Sequence, residues 1–180
     1  MQKLRGFTLI ELMVVLAISA ILLTIGVPSF KSITYSTRVT SEINGLLGDM
    51  QFARSEALKQ GQSVTACVST DKTSCSTSTG WGSGWIIFTD LNNDGIRTTA
   101  EPLLRTQATL PTNDIITAKT GTTNVYYLTY NRMGFLRNNS AITADVKMKI
   151  NPQNETNIDW TRCLVASQIG SMKVIRGACP

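Results

Sequence analysis

The chain contains no histidine. That absence removes Ser-His-Asp and Cys-His catalysis, and every zinc site that needs an imidazole ligand. Charge is also scarce, at 16% of 180 residues against 42% hydrophobic, which is the balance of a folded domain rather than a disordered chain. Between Phe7 and Phe30 it almost vanishes, and Glu11 is the only charged residue in those 24 positions. No small-residue cleavage site of the A-x-A kind closes this run, and no linker separates it from the helical pattern that follows. Both absences argue against an ordinary secretory signal. There is no internal repeat, no second domain, and no cysteine pair at C-x2-C spacing.

The run itself is the strongest feature present. As a helix it would be about 36 Å long, enough to span a bilayer. Lys3 and Arg5 precede it and should hold the N-terminus in the cytoplasm, sending the remainder across the membrane. A carboxylate near the bilayer centre costs roughly 2.5–3.5 kcal/mol, so Glu11 needs a reason to be there.

The stretch GFTLIEL, Gly6 to Leu12, closely resembles the processing motif of type IV prepilins. The resemblance implies a leader of residues 1–6, cut after Gly6 by a membrane peptidase, with Phe7 then methylated as the new N-terminus. It implies a membrane and filament-core helix over 7–30, and a periplasmic domain over 31–180 that starts with an amphipathic helix over 31–60. Pro28 falls where such helices often kink or loosen. In a filament the packed helices exclude water, so the Glu11 carboxylate needs a partner. The α-amino group of Phe7 on a neighbouring subunit would supply it and report axial register. Snorkelling of Glu11 to the interface is the alternative.

Beyond Pro28 the pattern is amphipathic. Val39, Ile43, Leu46, Met50, Ala53 and Ala57 recur at helical spacing with Leu47 and Leu58 beside them, while Glu42, Asp49, Arg54, Glu56 and Lys59 fall mostly off the stripe. Gly61 is a C-terminal stop, so the helix is expected from Phe7 to Gln60. Gly45 and Gly48 either allow a close approach or are neutral. Strands are expected at Ser63–Ser69, Trp85–Thr89, Leu103–Gln107, Ile115–Lys119, Val125–Tyr130, Val146–Ile150, Arg162–Ala166 and Met172–Ile175. Thr70–Gly84 reads as a small-residue loop.

GWIIFTDLNNDGIRTTAEPLLR, Gly84 to Arg105, is similar to the strand–loop–strand signature of the FimU, FimT and GspH group of minor pilins and pseudopilins. YNRMGFL, Tyr130 to Leu136, is similar to a second element of it. The implied fold class is α+β and type IV pilin-like: a long N-terminal helix packed on antiparallel β-sheets.

Three further groups carry possible chemistry. Cys67, Cys75, Cys163 and Cys179 would lie in an oxidising compartment, where four cysteines allow three connectivities. Cys67–Cys75 and Cys163–Cys179 each close a short loop across a predicted turn. Asp90, Asn92, Asp94, Gly95 and Glu101 satisfy the oxygen pattern of an EF-hand calcium loop, although the preceding residues read as strand, and Asx-turns explain the same residues. From Asn131 onward seven basic residues (Arg132, Arg137, Lys147, Lys149, Arg162, Lys173 and Arg176) outnumber Asp145, Glu155 and Asp159. Such a surface could hold phosphates, with Arg162, Lys173 and Arg176 as the candidate DNA contacts. DNA-binding members of the FimT kind share a Gly-Arg-x-Arg element. The matching stretch here is Gly170-Ser171-Met172-Lys173, with one cation in place of two.

The expectation is a non-enzymatic, structural minor pilin of the FimU kind with no cofactor, calcium at Asp90–Glu101 being the one exception considered. It would prime pilus assembly near the tip. Its partners would be other minor pilins, the major pilin, the prepilin peptidase, and the inner membrane before assembly. A DNA-uptake pilin and a type II secretion pseudopilin are the alternatives.

Overall fold

The computed structural model describes residues 6–76, 80–110, 114–138, 144–153 and 157–180. Helix α1 spans Leu9–Gln60, 52 residues or about 78 Å. It starts two residues later than Phe7 because Thr8 is extended (φ −83°, ψ 152°) and acts as the N-cap. The Thr8 hydroxyl accepts the Glu11 N–H at 3.3 Å, satisfying one of the donors a helix start leaves free. Gly61 ends α1 in the left-handed conformation. Pro28 lies inside the helix, which continues through it. Its missing N–H leaves the Thr24 carbonyl without its helical donor.

The two halves of α1 live in different surroundings. None of its most apolar 18-residue window is buried. The second half buries Val39, Ile43, Leu46, Met50, Ala53 and Ala57, the expected stripe. Asp49 is buried with them, although its charge suggested a place off the stripe. A Cβ added to Gly45 or Gly48 would meet nothing within 4 Å, so neither glycine serves a close approach.

That stripe packs on two five-stranded antiparallel sheets. The first has the order β3-β2-β1-β6-β7, from β1 (Val64–Val68), β2 (Trp85–Thr89), β3 (Leu103–Gln107), β6 (Tyr127–Tyr130) and β7 (Leu136–Asn138). The second has the order β10-β9-β8-β4-β5, from β4 (Ile115–Thr120), β5 (Thr123–Asn124), β8 (Val146–Asn151), β9 (Arg162–Ala166) and β10 (Met172–Arg176). Both contribute to one core: Val64, Ala66, Leu128 and Tyr130 from the first, Ile116, Met148, Ile150 and Leu164 from the second.

One expected strand is shorter than its sequence suggests. Val125–Tyr130 reads as a single β run, but only Tyr127–Tyr130 forms strand, β6, paired with β1, while β5 just before it pairs with β4 in the other sheet. Between them the chain crosses from one sheet to the other. Val125 is fully buried there, and its carbonyl accepts the Trp81 indole N–H at 2.9 Å. Strand β7 is short and polar enough to escape the periodicity reading.

Every residue of β1 is buried because both of its faces are covered. Val64, Ala66 and Val68 join the core under α1, while Cys67 joins Ile86 and Phe88 on the other face. The Cys67–Cys75 disulfide seals that second face, and Cys163–Cys179 ties the chain after β10 to β9.

The packing predicts opposite outcomes on the two sides of one helix. Leu46→Ala opens the core and should cost about 2–5 kcal/mol. Gly45→Ala fills open space and should gain up to about 1 kcal/mol through helix propensity. Chemical unfolding of the two full-length variants in detergent measures both; equal effects would contradict the packing described.

Candidate functional site

The N-terminal segment presents its residues outward. Phe7 is 83% exposed and Glu11 is exposed as well. None of the three ion pairs among the described residues includes Glu11. Thr8 and Glu11 stand at the T-x-x-E spacing of a capping box. A carboxylate in the first turn of a helix is favoured by the exposed N–H groups there. This local role of Glu11 was legible in the sequence as Thr-Leu-Ile-Glu, a signal hidden inside the longer processing motif.

Below the apolar half, α1 is fastened to the sheets by polar contacts. Arg38 makes a two-point ion pair with Asp114, both bonds 2.8 Å, and Asp114 is only 2% exposed. The Arg38 guanidinium also lies over the Tyr35 ring at 4.9 Å, and Tyr35 stacks on Trp160 at the same separation. Trp160 donates to the Ser32 hydroxyl and Arg162 to the Ser36 hydroxyl. Further along, Asp49 accepts the Trp85 indole N–H at 2.8 Å and pairs with Arg105 at 2.7 Å. Arg54 donates to the carbonyls of Gly134, Ile169 and Gly170. Sequence reasoning missed Asp49, although a residue three after Leu46 and four before Ala53 must share their face.

The acidic hairpin does not gather a metal-ligand set. Among the described residues no group of three His, Cys, Asp or Glu side chains comes together. Most of the pattern's oxygens are turned onto the loop itself, while Asp90 Oδ1 is buried without a hydrogen-bond partner among the described residues. Asp90 is 1% exposed and accepts from the Thr65 hydroxyl at 2.6 Å and the Gly95 N–H at 3.1 Å. Glu101 accepts the N–H groups of Leu91 and Thr98, while Asn92 and Asp94 bond each other. Burial holds the Asp90 carboxyl above the usual range, with nearby Glu101 adding to the rise. Asp90, Asn92, Asp94 and Glu101, the residues of the calcium pattern, build a turn here. Gly95 adopts φ 77°, and a Cβ there would collide with the Tyr127 ring, which is why this position is glycine.

The basic residues do not assemble as expected either. Arg162 is 7% exposed. Its guanidinium donates to the carbonyls of Asp159 and Thr161 and to Ser36, so it is structural and not a DNA contact. Burial pushes its pKa down, and neighbouring Arg176 adds to that. Lys173 and Arg176 are three apart on β10 and point to opposite faces. Ser171 bonds Ser167 at 2.7 Å. What does gather is a row of lysines on the outer face of the second sheet. Lys119 stands directly opposite Lys147, and Lys173 lies two strands beyond, across Val165. Lys147 donates to an oxygen of Pro180. Glu155 lies outside the described residues.

Known proteins share this arrangement. Residues 42–170 match the family model of the type II transport protein GspH, and residues 1–27 match that of the prokaryotic N-terminal methylation motif. A search of curated protein sequences returned no match. Among solved structures, the type IV minor pilin FimU of Pseudomonas aeruginosa superposes with a TM-score of 0.58 at 22% identity, over 79% of this chain and 92% of that one. A second crystal form gives 0.55 at 23%, over 76% and 91%. The minor pseudopilin EpsH of the Vibrio cholerae type 2 secretion system gives 0.52 at 12%, over 77% and 97%. A rod-like helix that leaves its apolar half uncovered, a two-sheet domain on its other half and a methylation motif at its start occur together here, and the chain belongs to the GspH family of pilin-like proteins.

Proposed function

We propose that the protein is a structural minor pilin of the FimU kind, which joins other minor pilins to prime a type IV pilus and stays near its tip. The observation that carries the reading is the unpartnered first half of α1: an apolar surface with one carboxylate, placed directly behind Gly6 and Phe7. Such a surface is stable in a bilayer or among other helices of its kind, and not in water. The reading has the leader 1–6 removed by the prepilin peptidase at the inner membrane, the helix 7–30 held there and then moved into the filament, and the domain 31–180 held in the periplasm. Glu11 accepts the α-amino group of Phe7 on a neighbouring subunit, and the loss of a helical hydrogen bond at Pro28 lets the rod adjust as it packs. The cysteine pairings Cys67–Cys75 and Cys163–Cys179 suit that compartment.

A second reading, a type II secretion pseudopilin, is favoured by the family match over residues 42–170. Deleting the chain from its host separates the two, since one loses pili and the other loses protein export.

Maturation and assembly should separate in two variants. Gly6→Ala should leave a chain six residues too long. Glu11→Ala should be cut normally yet enter filaments poorly. Intact mass and filament content measure both, and normal incorporation of Glu11→Ala would sink the register argument.

The DNA-uptake alternative makes a distinct forecast. With the cations divided between faces, the full-length protein in detergent should bind duplex DNA weakly, and that binding should fade steeply as salt rises. Lys149→Ala and Lys173→Ala should weaken what remains, whereas Arg162→Ala should lower stability and leave it unchanged. Tight binding at physiological salt would reverse the ranking.

A further inference from the structure

The C-terminal end of α1 carries an exposed apolar corner. Leu58 on the last turns is 51% exposed, Met133 and Phe135 between β6 and β7 are 59% and 43%, and Ile169 between β9 and β10 is 63%. One residue fixes their arrangement. The Arg54 guanidinium donates to the Gly134 carbonyl at 3.1 Å, the Gly170 carbonyl at 2.9 Å and the Ile169 carbonyl at 3.1 Å. Gly134 and Gly170 are both left-handed, at φ 75° and 79°. A Cβ on Gly170 would collide with the Gly134 carbonyl and with Arg54 itself. The Leu136 N–H also donates to the Gln168 carbonyl at 2.9 Å, joining the two turns. The apolar side chains are thus carried on backbone already ordered, which lowers the entropy cost of binding.

The surroundings add a charge. Beside Met133 lies a cleft of about 380 Å³ whose wall includes exposed Arg132 and Leu91, with buried Asp90 at its base. Neither Arg54 nor Arg132 takes part in any of the three ion pairs among the described residues. The corner is apolar in the middle, with exposed Arg132 at its rim. Two copies meeting here about a two-fold axis would bring like charges together, which disfavours a homodimer.

We infer that this corner docks a different pilin-type subunit, one whose matching surface is apolar with carboxylates at its edge. The inference rests on the assembly reading above and names the surface that reading uses at the end of α1 farthest from Phe7.

The test uses the full-length chain in piliated cells, with a photo-crosslinking amino acid in place of Met133 and, as a control, in place of Lys149 on the far sheet. The Met133 probe should join the chain to a protein that carries its own prepilin motif, at a peptide containing Asp or Glu. Ile169→Asp should reduce the adduct about tenfold, as loss of a central contact does, and Arg132→Glu at the rim should reduce it by less, while Ile169→Leu should retain it. Intact disulfides in the unreduced mass report folding of each variant. An adduct only with a second copy, or equal adducts from both probe positions, overturns the inference. So does undiminished filament entry of Met133→Glu/Ile169→Asp when the wild-type chain is incorporated, and that result leaves the assembly reading standing. Absence of the wild-type chain from filaments overturns both.

Discussion

One unbroken helix from Leu9 to Gln60 links everything this protein does at its two ends. Because the rod is continuous, the position of its second half on the sheets sets the direction in which its first half projects. The docking is therefore more than a contribution to stability. The apolar stripe from Val39 to Ala57 supplies the burial, and burial alone is non-directional. A smooth apolar stripe would permit rotation or sliding. Arg38 with Asp114, Asp49 with Trp85 and Arg105, and Arg54 with three carbonyls pin the helix at successive heights. Except for the exposed Arg54–Ile169 bond, these contacts are partly or wholly buried, and each joins a donor to an acceptor, the condition under which buried polar contacts select one arrangement.

The same need for partners shapes the acidic hairpin. Calcium loops and tight turns use the same residues, since both need oxygen atoms facing inward and a residue that tolerates positive φ. The outcome depends on what the oxygens meet. Here they meet N–H groups of their own loop and the Thr65 hydroxyl on β1. The hairpin becomes a rigid extension of β2, packed against Tyr127.

The basic residues show how a count misleads without topology. Seven cations from Asn131 onward suggest a single patch, yet the strands turn them to different sides. Arg162 is drawn inward to serve Ser36 on α1, and the Gly170 turn is occupied by Arg54 rather than offered to a polyanion. Directly opposed Lys119 and Lys147 remain as a like-charge cross-strand pair, an arrangement that carries a small stability cost.

What the sequence by itself determined was governed by local rules. The helix, its apolar and amphipathic halves, its glycine stop, the buried stripe and the strands at Trp85–Thr89, Leu103–Gln107 and Arg162–Ala166 follow from period and propensity, which act over a few residues. The processing motif is likewise a short linear pattern. What only the tertiary structure decided involved partners distant in the chain. The start of β6 at Tyr127 rather than Val125 goes with a bond from Trp81, 44 positions away from the Val125 carbonyl it reaches. The burial of Asp49 depends on Trp85 and Arg105, and that of Arg162 on Ser36. A polar side chain goes inside when a partner waits there, and the identity of that partner is a matter of packing rather than of spacing.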